Sequence, residues 1–333
     1  YSEYTKAFAE PQSPPSVPRT IEPLFDHPLR ETSICKGPDG AYYLTGTAAT
    51  AIDSKETGRN CWDFENNDGV WLWKSKDLKI WEALGQVWSI ERDPARFGNP
   101  QFNNPSMWQL YWRASKESGR RVRGMTAPEI HYIRGNFYIA YSMNGYGSGL
   151  LQSETGNAVG PYRDLGKIAR FGGDASMFDD TDGTVYWVWG EGWIAKMKED
   201  LSGLAETPLP LEVQPELEGG SWPLRIGVGG AFIFKAEVPK WNDGAYHLLG
   251  YDFVSRMGPE LCCDTFIASA ESVYGPYKRR DLMVAHGGQS VVFSGPDKNI
   301  YATFSGSDNW AAFQDKPGIV PLVPHATEFV ADY

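Results

Sequence analysis

ETSICKGPDGAYYLTGT (Glu31–Thr47) and EIHYIRGNFYIAYSM (Glu129–Met143) are two copies of one unit. Each opens on an acidic residue, runs as a short strand, bends at a Gly-containing turn (DG or GN) and returns through aromatic and β-branched residues. That is hairpin chemistry. The unit recurs as DASMFDDTDGTVYWVWG from Asp174, GAFIFKAEVPKWNDGAYHLLGYD from Gly230 and QSVVFSGPDKNIYATFSG from Gln289. After the second copy the heads lie roughly 45 to 60 residues apart, the period of a propeller blade.

A second element fills four of the gaps, a strand followed by a polar corner. Its copies are VWLWKSKDLKIWEAL from Val70, LLQSETGNAVGPYRDL from Leu150, WIAKMKEDLSGLAE from Trp193 and TFIASAESVYGPYKRRDL from Thr265. A hairpin, this third strand and a returning fourth make a four-stranded antiparallel blade. The expected fold is therefore all-β: a five-bladed β-propeller whose first strands lie innermost and start at a shared central mouth. It occupies residues 23–333 as a single domain, with a long insertion in or after blade 1 at about 48–125. The proline-rich segment before it, residues 1–22, reads as an extended arm that packs on its own propeller or reaches a second subunit, which allows a homodimer.

Composition narrows the partners. With 333 residues, 41% hydrophobic and 22% charged, the chain is long enough for a substantial core, and its 14% aromatic share suits strands and sugar-stacking surfaces. A net charge of -11 opposes nucleic acid and anionic membranes. The cluster Arg120, Arg121 and Arg123 reads as a solvated loop or a contact for an acidic substrate. No apolar run approaches the roughly 18 residues that span a bilayer. YSEYTKAF at the start has no signal-peptide shape, which leaves a secreted or periplasmic setting open for a trimmed chain. Cys35, Cys61, Cys262 and Cys263 lack metal-ligand spacing, and the vicinal pair reads as core filling, so no metal site is expected. No nucleophile elbow and no phosphate-binding Gly loop is present.

If the five heads meet at one mouth, Glu31, Glu129, Asp174 and Gln289 converge from different blades. Glycoside hydrolysis needs such convergence: one carboxyl protonates the leaving oxygen while another deprotonates a water. A single acid at a strand head also caps turns, but three on matched heads point to a shared pocket. Arg30 beside Glu31 reads as a clamp for a sugar hydroxyl or acidic group, or as packing between blades. Trp62 and Trp222 read as stacking surfaces, and Thr126, His131 and Trp193 as further members of the pocket wall, although His131 and His247 also suit a core.

The residues resemble the five-bladed glycoside hydrolases of families 43 and 117, an inverting group that includes arabinofuranosidases, xylosidases and neoagarooligosaccharide hydrolases. LRETSICKGPDGAYYLTGT, APEIHYIRGNFYIAYS, GGDASMFDDTDGTVYW and SGSDNWAAFQDKPGIV carry the likeness, which runs from about Leu29 to Val323. The resemblance implies that the general base, normally Asp, falls on Glu31, whose extra methylene reaches about 1.3 Å further. It implies that the pKa-modulating, sugar-orienting Asp falls on Asp174. His286 resembles the channel histidine of these propellers, which holds water or an ion such as Ca or Na; no other cofactor is implied. The general acid, a Glu, falls on Gly229 or Gly230, and neither donates a proton.

Glu191 in VWGEGWIAKM is the best substitute by position, with flanking glycines and Trp193 as the setting that raises a carboxyl pKa. Glu129 or a histidine are the alternatives. Three readings stay open: an exo-acting, inverting hydrolase of plant or algal oligosaccharides, a propeller that binds sugar without cleaving it, and a lyase or other enzyme with a histidine as acid.

Overall fold

The structure, a computed structural model, describes residues 21–51, 62–67, 69–90, 109, 113–114, 121–143, 147–215, 224–236, 244–255, 260–325 and 328–331. Five four-stranded antiparallel sheets form the expected five-bladed propeller. Blade 1 holds β1 (Leu29–Lys36), β2 (Tyr42–Ala48), β5 (Gly69–Ser75) and β6 (Glu82–Ser89); a two-stranded ribbon, β3 (Thr50–Ala51) with β4 (Trp62–Asp63), interrupts it. A second ribbon, β7 (Arg113–Ala114) with β8 (Arg121–Val122), precedes blade 2, which runs β9 (Met125–Ile133), β10 (Asn136–Met143), β11 (Ser148–Ser153) and β12 (Tyr162–Ala169). The stretch expected as one insertion is thus two excursions on either side of blade 1's own outer strands.

Blade 3 is β13 (Ala175–Asp179), β14 (Val185–Trp189), β15 (Trp193–Lys196) and β16 (Leu209–Pro210). Blade 4 is β17 (Gly229–Lys235), β18 (Tyr246–Val254), β19 (Cys262–Ala270) and β20 (Asp281–Val284). Blade 5 is β21 (Val292–Ser294), β22 (Ile300–Phe304), β23 (Gly318–His325) and β24 (Glu328–Ala331). Residues 1–20, the bulk of the expected arm, lie outside the described residues. Ile21 packs on the apolar cluster that blades 4 and 5 share.

Each blade buries both faces, because successive side chains of a strand point to opposite sides and a blade has a neighbour on each. In β10, Phe137, Ile139 and Tyr141 join the cluster shared with blade 1, whereas Tyr138 and Ala140 join that shared with blade 3. Trp187 and Trp189 are fully buried in the latter cluster. Cys262 and Cys263 are buried, as expected of core filling.

The turns repeat as well as the strands. Asp39 accepts hydrogen bonds from the Ala41 N–H (3.1 Å) and the Tyr43 hydroxyl (3.0 Å), and Asp297 serves the Asn299 N–H and Tyr301 hydroxyl in the same way. At the two GPY corners, Tyr162 and Tyr277 donate to the Ala158 and Val273 carbonyls. The ring closes between its ends: the Leu24 and Leu29 N–H groups donate to the Pro317 and Asp315 carbonyls, and Thr303 Oγ1 donates to the Thr32 carbonyl.

Candidate active site

The mouth is built from one backbone device used five times. At the start of each inner strand one residue takes positive φ: Glu31 (51°), Ala127 (45°), Asp174 (52°), Gly230 (69°) and Gly288 (67°). In blades 1, 2 and 4 the pairing register slips at this point, so the residue sits in a bulge that turns its side chain out of the ladder. A non-Gly residue there costs roughly 1–2 kcal/mol. That Glu31 and Asp174 hold such a conformation is the backbone signal of a site.

Two expected heads are displaced. The head of blade 2 is Ala127, because the bulge falls before Pro128; Glu129 lies two residues deeper, buried, accepting from Ser176 Oγ (2.5 Å) and 3.0 Å from His131 Nε2. The head of blade 5 is Gly288, and Gln289 follows it, buried. Glu129 and His131, with Ser33, Cys35, Met177 and Asp179, line an axial cavity of about 320 Å³ beyond the heads. Neither Glu31 nor Asp174 lines this cavity.

Glu31 and Asp174 are both partly accessible. Glu31 Oε2 accepts a short hydrogen bond from Thr47 Oγ1 and another from the Ala127 N–H (3.1 Å), which ties the carboxylate of blade 1 to the head of blade 2. The Asp174 N–H donates to Ser142 Oγ (2.7 Å), its carboxyl accepts from the Gly230 N–H, and its Oδ2 lies 3.4 Å from the Tyr251 hydroxyl. Burial, and then the negative charge of Glu31, push the Asp174 carboxyl up to about 7. The Tyr251 phenol is pushed up in turn, first by the charge of Asp174 and then by burial.

Gly229 faces this pair. A Cβ built there falls 2.7 Å from Asp174 Oδ2 and 2.8 Å from the Tyr251 hydroxyl. Tyr251 reaches the spot because β18 runs antiparallel to β17 and sets it directly opposite Gly229. Sequence reasoning missed Tyr251; its signal was the pairing of the two ends of that hairpin.

Around this centre, Arg30 forks onto Asp315 (2.6 and 3.1 Å) and stacks over the Phe64 ring at 4.1 Å, a contact made by the first excursion from blade 1. Thr126, partly accessible, occupies in blade 2 the position before the head that Arg30 and Gly229 occupy in theirs. Glu191 differs from expectation in its setting. Its side chain is 48% exposed and its Oε1 lies 3.7 Å from Arg225 Nε, beside a cation rather than in apolar surroundings. The Arg225 guanidinium caps the Trp193 ring at 4.9 Å, and Phe171 meets the same ring edge-on at 5.1 Å. Phe171, Val228, Phe253 and Trp310 expose apolar surface from segments at this end of the strands, a rim suited to sugar faces. Trp62 lies in β4, and Trp222 lies outside the described residues.

His286 is buried and its Nδ1 lies 2.8 Å from Asp308 Oδ2, which also accepts the Cys263 N–H. Cys262, His286 and Asp308 bring their ligand-type atoms within 4.8 Å of one another, a grouping that their spacing in the sequence does not reveal. Asp308 is already engaged on both oxygens, since Oδ1 accepts the Trp310 N–H. Ca takes six to eight oxygen ligands, water among them. Near the fifth head Gln289 and Asp264 are buried, and Asp264 Oδ1 accepts the His286 N–H (2.8 Å).

Comparison with known proteins adds to this geometry. The family model described as Glycosyl hydrolases family 43 matches residues 22–316. The extracellular endo-alpha-(1->5)-L-arabinanase 1 of Bacillus subtilis (strain 168) is 25% identical over 250 residues, which cover 69% of this chain and 66% of that protein, just under two thirds of its length. An endo-arabinase from Bacteroides thetaiotaomicron superposes with a TM-score of 0.62 at 18% identity, covering 91% of this chain and 97% of that one. An exo-1,5-alpha-L-arabinanase from a bovine ruminal metagenomic library gives 0.62 at 16%, covering 96% and 99%. A xylose complex of a GH43_1 enzyme from Xanthomonas citri gives 0.62 at 15%, covering 94% and 93%. At these identities the structural likeness speaks for the fold.

Proposed function

We propose, for a chain that belongs to glycosyl hydrolases family 43, that it hydrolyses oligosaccharides derived from arabinan or xylan, at chain ends and with inversion. The observation that carries this is the pair Glu31 and Asp174, each held in a left-handed backbone at the head of an inner strand and each open to the mouth. Inversion needs one carboxyl to protonate the departing oxygen and another to deprotonate the water. Glu31 is the base in this reading. The relatives' names supply the sugar class. Support for a chain end over a passing chain comes from the first excursion, whose Phe64 lies buried under Arg30 next to the head of blade 1, with Arg30 tied to Asp315.

Release of arabinose or xylose from a panel of arabino- and xylo-oligosaccharides tests the reading. Glu31→Gln is expected to lower turnover about 10²–10⁴-fold, the usual worth of a general base. Proton NMR of the fresh product gives its anomer, and a retained anomer would remove the inverting course. One observation favours a second reading: blade 4 carries no side chain at its head, Gly230, or just before it, at Gly229. A propeller that only binds sugar would bind these oligosaccharides in calorimetry and release nothing from any of them.

A further inference from the structure

Just before the head of blade 4, at Gly229, one of the two positions where a proton-donating side chain is expected, the space is already filled. The position a Cβ of residue 229 would take is 2.7 Å from Asp174 Oδ2, 2.8 Å from the Tyr251 hydroxyl and 2.9 Å from Tyr251 Cε1. Real Cβ atoms do not tolerate such contacts, and the atoms in the way are the reactive ones. Gly229 itself has no positive φ. A side chain at residue 229 would therefore have to displace the Asp174 carboxyl and the Tyr251 ring, and the Asp174 carboxyl from blade 3 lies against this position in its stead.

We propose that Asp174 is the proton donor of this mouth, occupying the place left by Gly229, with Tyr251 as the residue that positions it. This rests on the hydrolase reading above. In the step, the Asp174 proton passes to the glycosidic oxygen as the anomeric C–O bond breaks. A water bonds to the anomeric carbon and gives its proton to Glu31. The products are a free sugar and an alcohol, Asp174 is left ionised and Glu31 protonated, and exchange with solvent returns both to their starting states.

The surroundings supply what a donor needs. Burial and the Glu31 charge favour the protonated carboxyl near neutral pH. The groups that bear on Asp174 from the packed strands are Glu31 on β1, Glu129 on β9 at longer range, the Gly230 N–H on β17 and the Tyr251 hydroxyl on β18. The last two hydrogen-bond the ionised carboxylate and oppose the first two, which holds the group near 7 rather than far above it. The Ser142 hydroxyl accepts the Asp174 N–H and so fixes the strained backbone that aims the side chain.

The test compares two substrates that differ in their need for a proton. Arabinotriose or xylotriose has a poor leaving group, whereas 4-nitrophenyl α-L-arabinofuranoside or β-D-xyloside departs as a stable phenolate. Asp174→Asn is expected to lower kcat on the trisaccharide about 10²–10⁴-fold and at least tenfold less on the aryl glycoside. Tyr251→Phe is expected to shift the basic limb of the kcat profile on the trisaccharide and, at pH values below that limb, to change kcat on the two substrates by the same factor. The wild-type profile needs no variant: kcat on the trisaccharide falls as pH rises through about 7, and this limb is absent with the aryl glycoside. Equal losses on both substrates in Asp174→Asn, or the same limb with both in the wild type, would leave Asp174 as a sugar-orienting residue and overturn the assignment. Leaving-group dependence in Tyr251→Phe would transfer the role to Tyr251. A wild-type chain that turns over neither substrate overturns the hydrolase reading, and this assignment with it.

Discussion

Replacing Asp174 by Asn changes the pH dependence of stability in a way the mouth geometry specifies. The native carboxyl titrates near 7, against an ordinary value of 3.8 once the chain is unfolded. Between those values the native state holds a proton that the unfolded state has released. Stability therefore falls as pH rises through this window and levels off above it. The full interval corresponds to about 4 kcal/mol as a ceiling. Asp174 is open to the mouth, where water and relaxation soften the penalty on its ionised form, so about 1–2 kcal/mol is the expected size. Asn keeps the shape and cannot titrate. In urea unfolding at pH 4, 5, 6, 7 and 8, the two proteins should differ little at the acid end. At pH 8 Asp174→Asn should be the more stable by about 1–2 kcal/mol. Taking the difference between the two chains cancels the other titrating groups. A difference that stays flat across the series would refute the crowded, charge-opposed carboxyl from which the argument starts.

Further outcomes follow from contacts already described. Gly229→Ala places a methyl against Asp174 and Tyr251 and should lower stability by about 1–3 kcal/mol in denaturant melts, and Gly229→Glu should fail to raise turnover in the sugar-release assay. Glu191→Gln, at a half-exposed carboxylate beside Arg225, should change kcat less than about twofold and leave its pH profile in place, whereas an acid there would lose its basic limb. Trp187→Ala, in the fully buried interface of blades 2 and 3, should cost about 3–5 kcal/mol by the same melts.

The architecture was legible because each blade repeats a hairpin with its own turn chemistry, and no long-range information is needed to see a period. The paired aspartate turns at Asp39 and Asp297 and the tyrosine corners at Tyr162 and Tyr277 behave alike in space because they are alike in sequence. The heads were harder. A bulge inserts a residue without changing composition, so the inner strand of blade 2 presents Ala127, with Glu129 turned into the channel, and that of blade 5 presents Gly288 ahead of Gln289. Glu191 was misjudged in its surroundings for another reason: the neighbour that matters, Arg225, is brought beside it by blade packing and not by adjacency. Tyr251 was invisible for the same reason, since only the β17–β18 register sets it opposite Gly229. His286 finds Asp308 across the gap between blades 4 and 5.

Blade 5 takes all four of its strands from residues 292–331, so among the described residues no sheet is shared between the two ends of the chain. Order along the polypeptide is then order around the ring. Each blade is complete before the next leaves the ribosome, and every blade after the first can dock on its predecessor as it forms. The joint between the last blade and the first is the exception, since residues 24–32 must wait for 303–317. The hydrogen bonds described for Glu31 and Asp174 link blades 1 to 4 only. The two carboxylates are thus held by four blades, and the fifth closes the ring against residues 24–32.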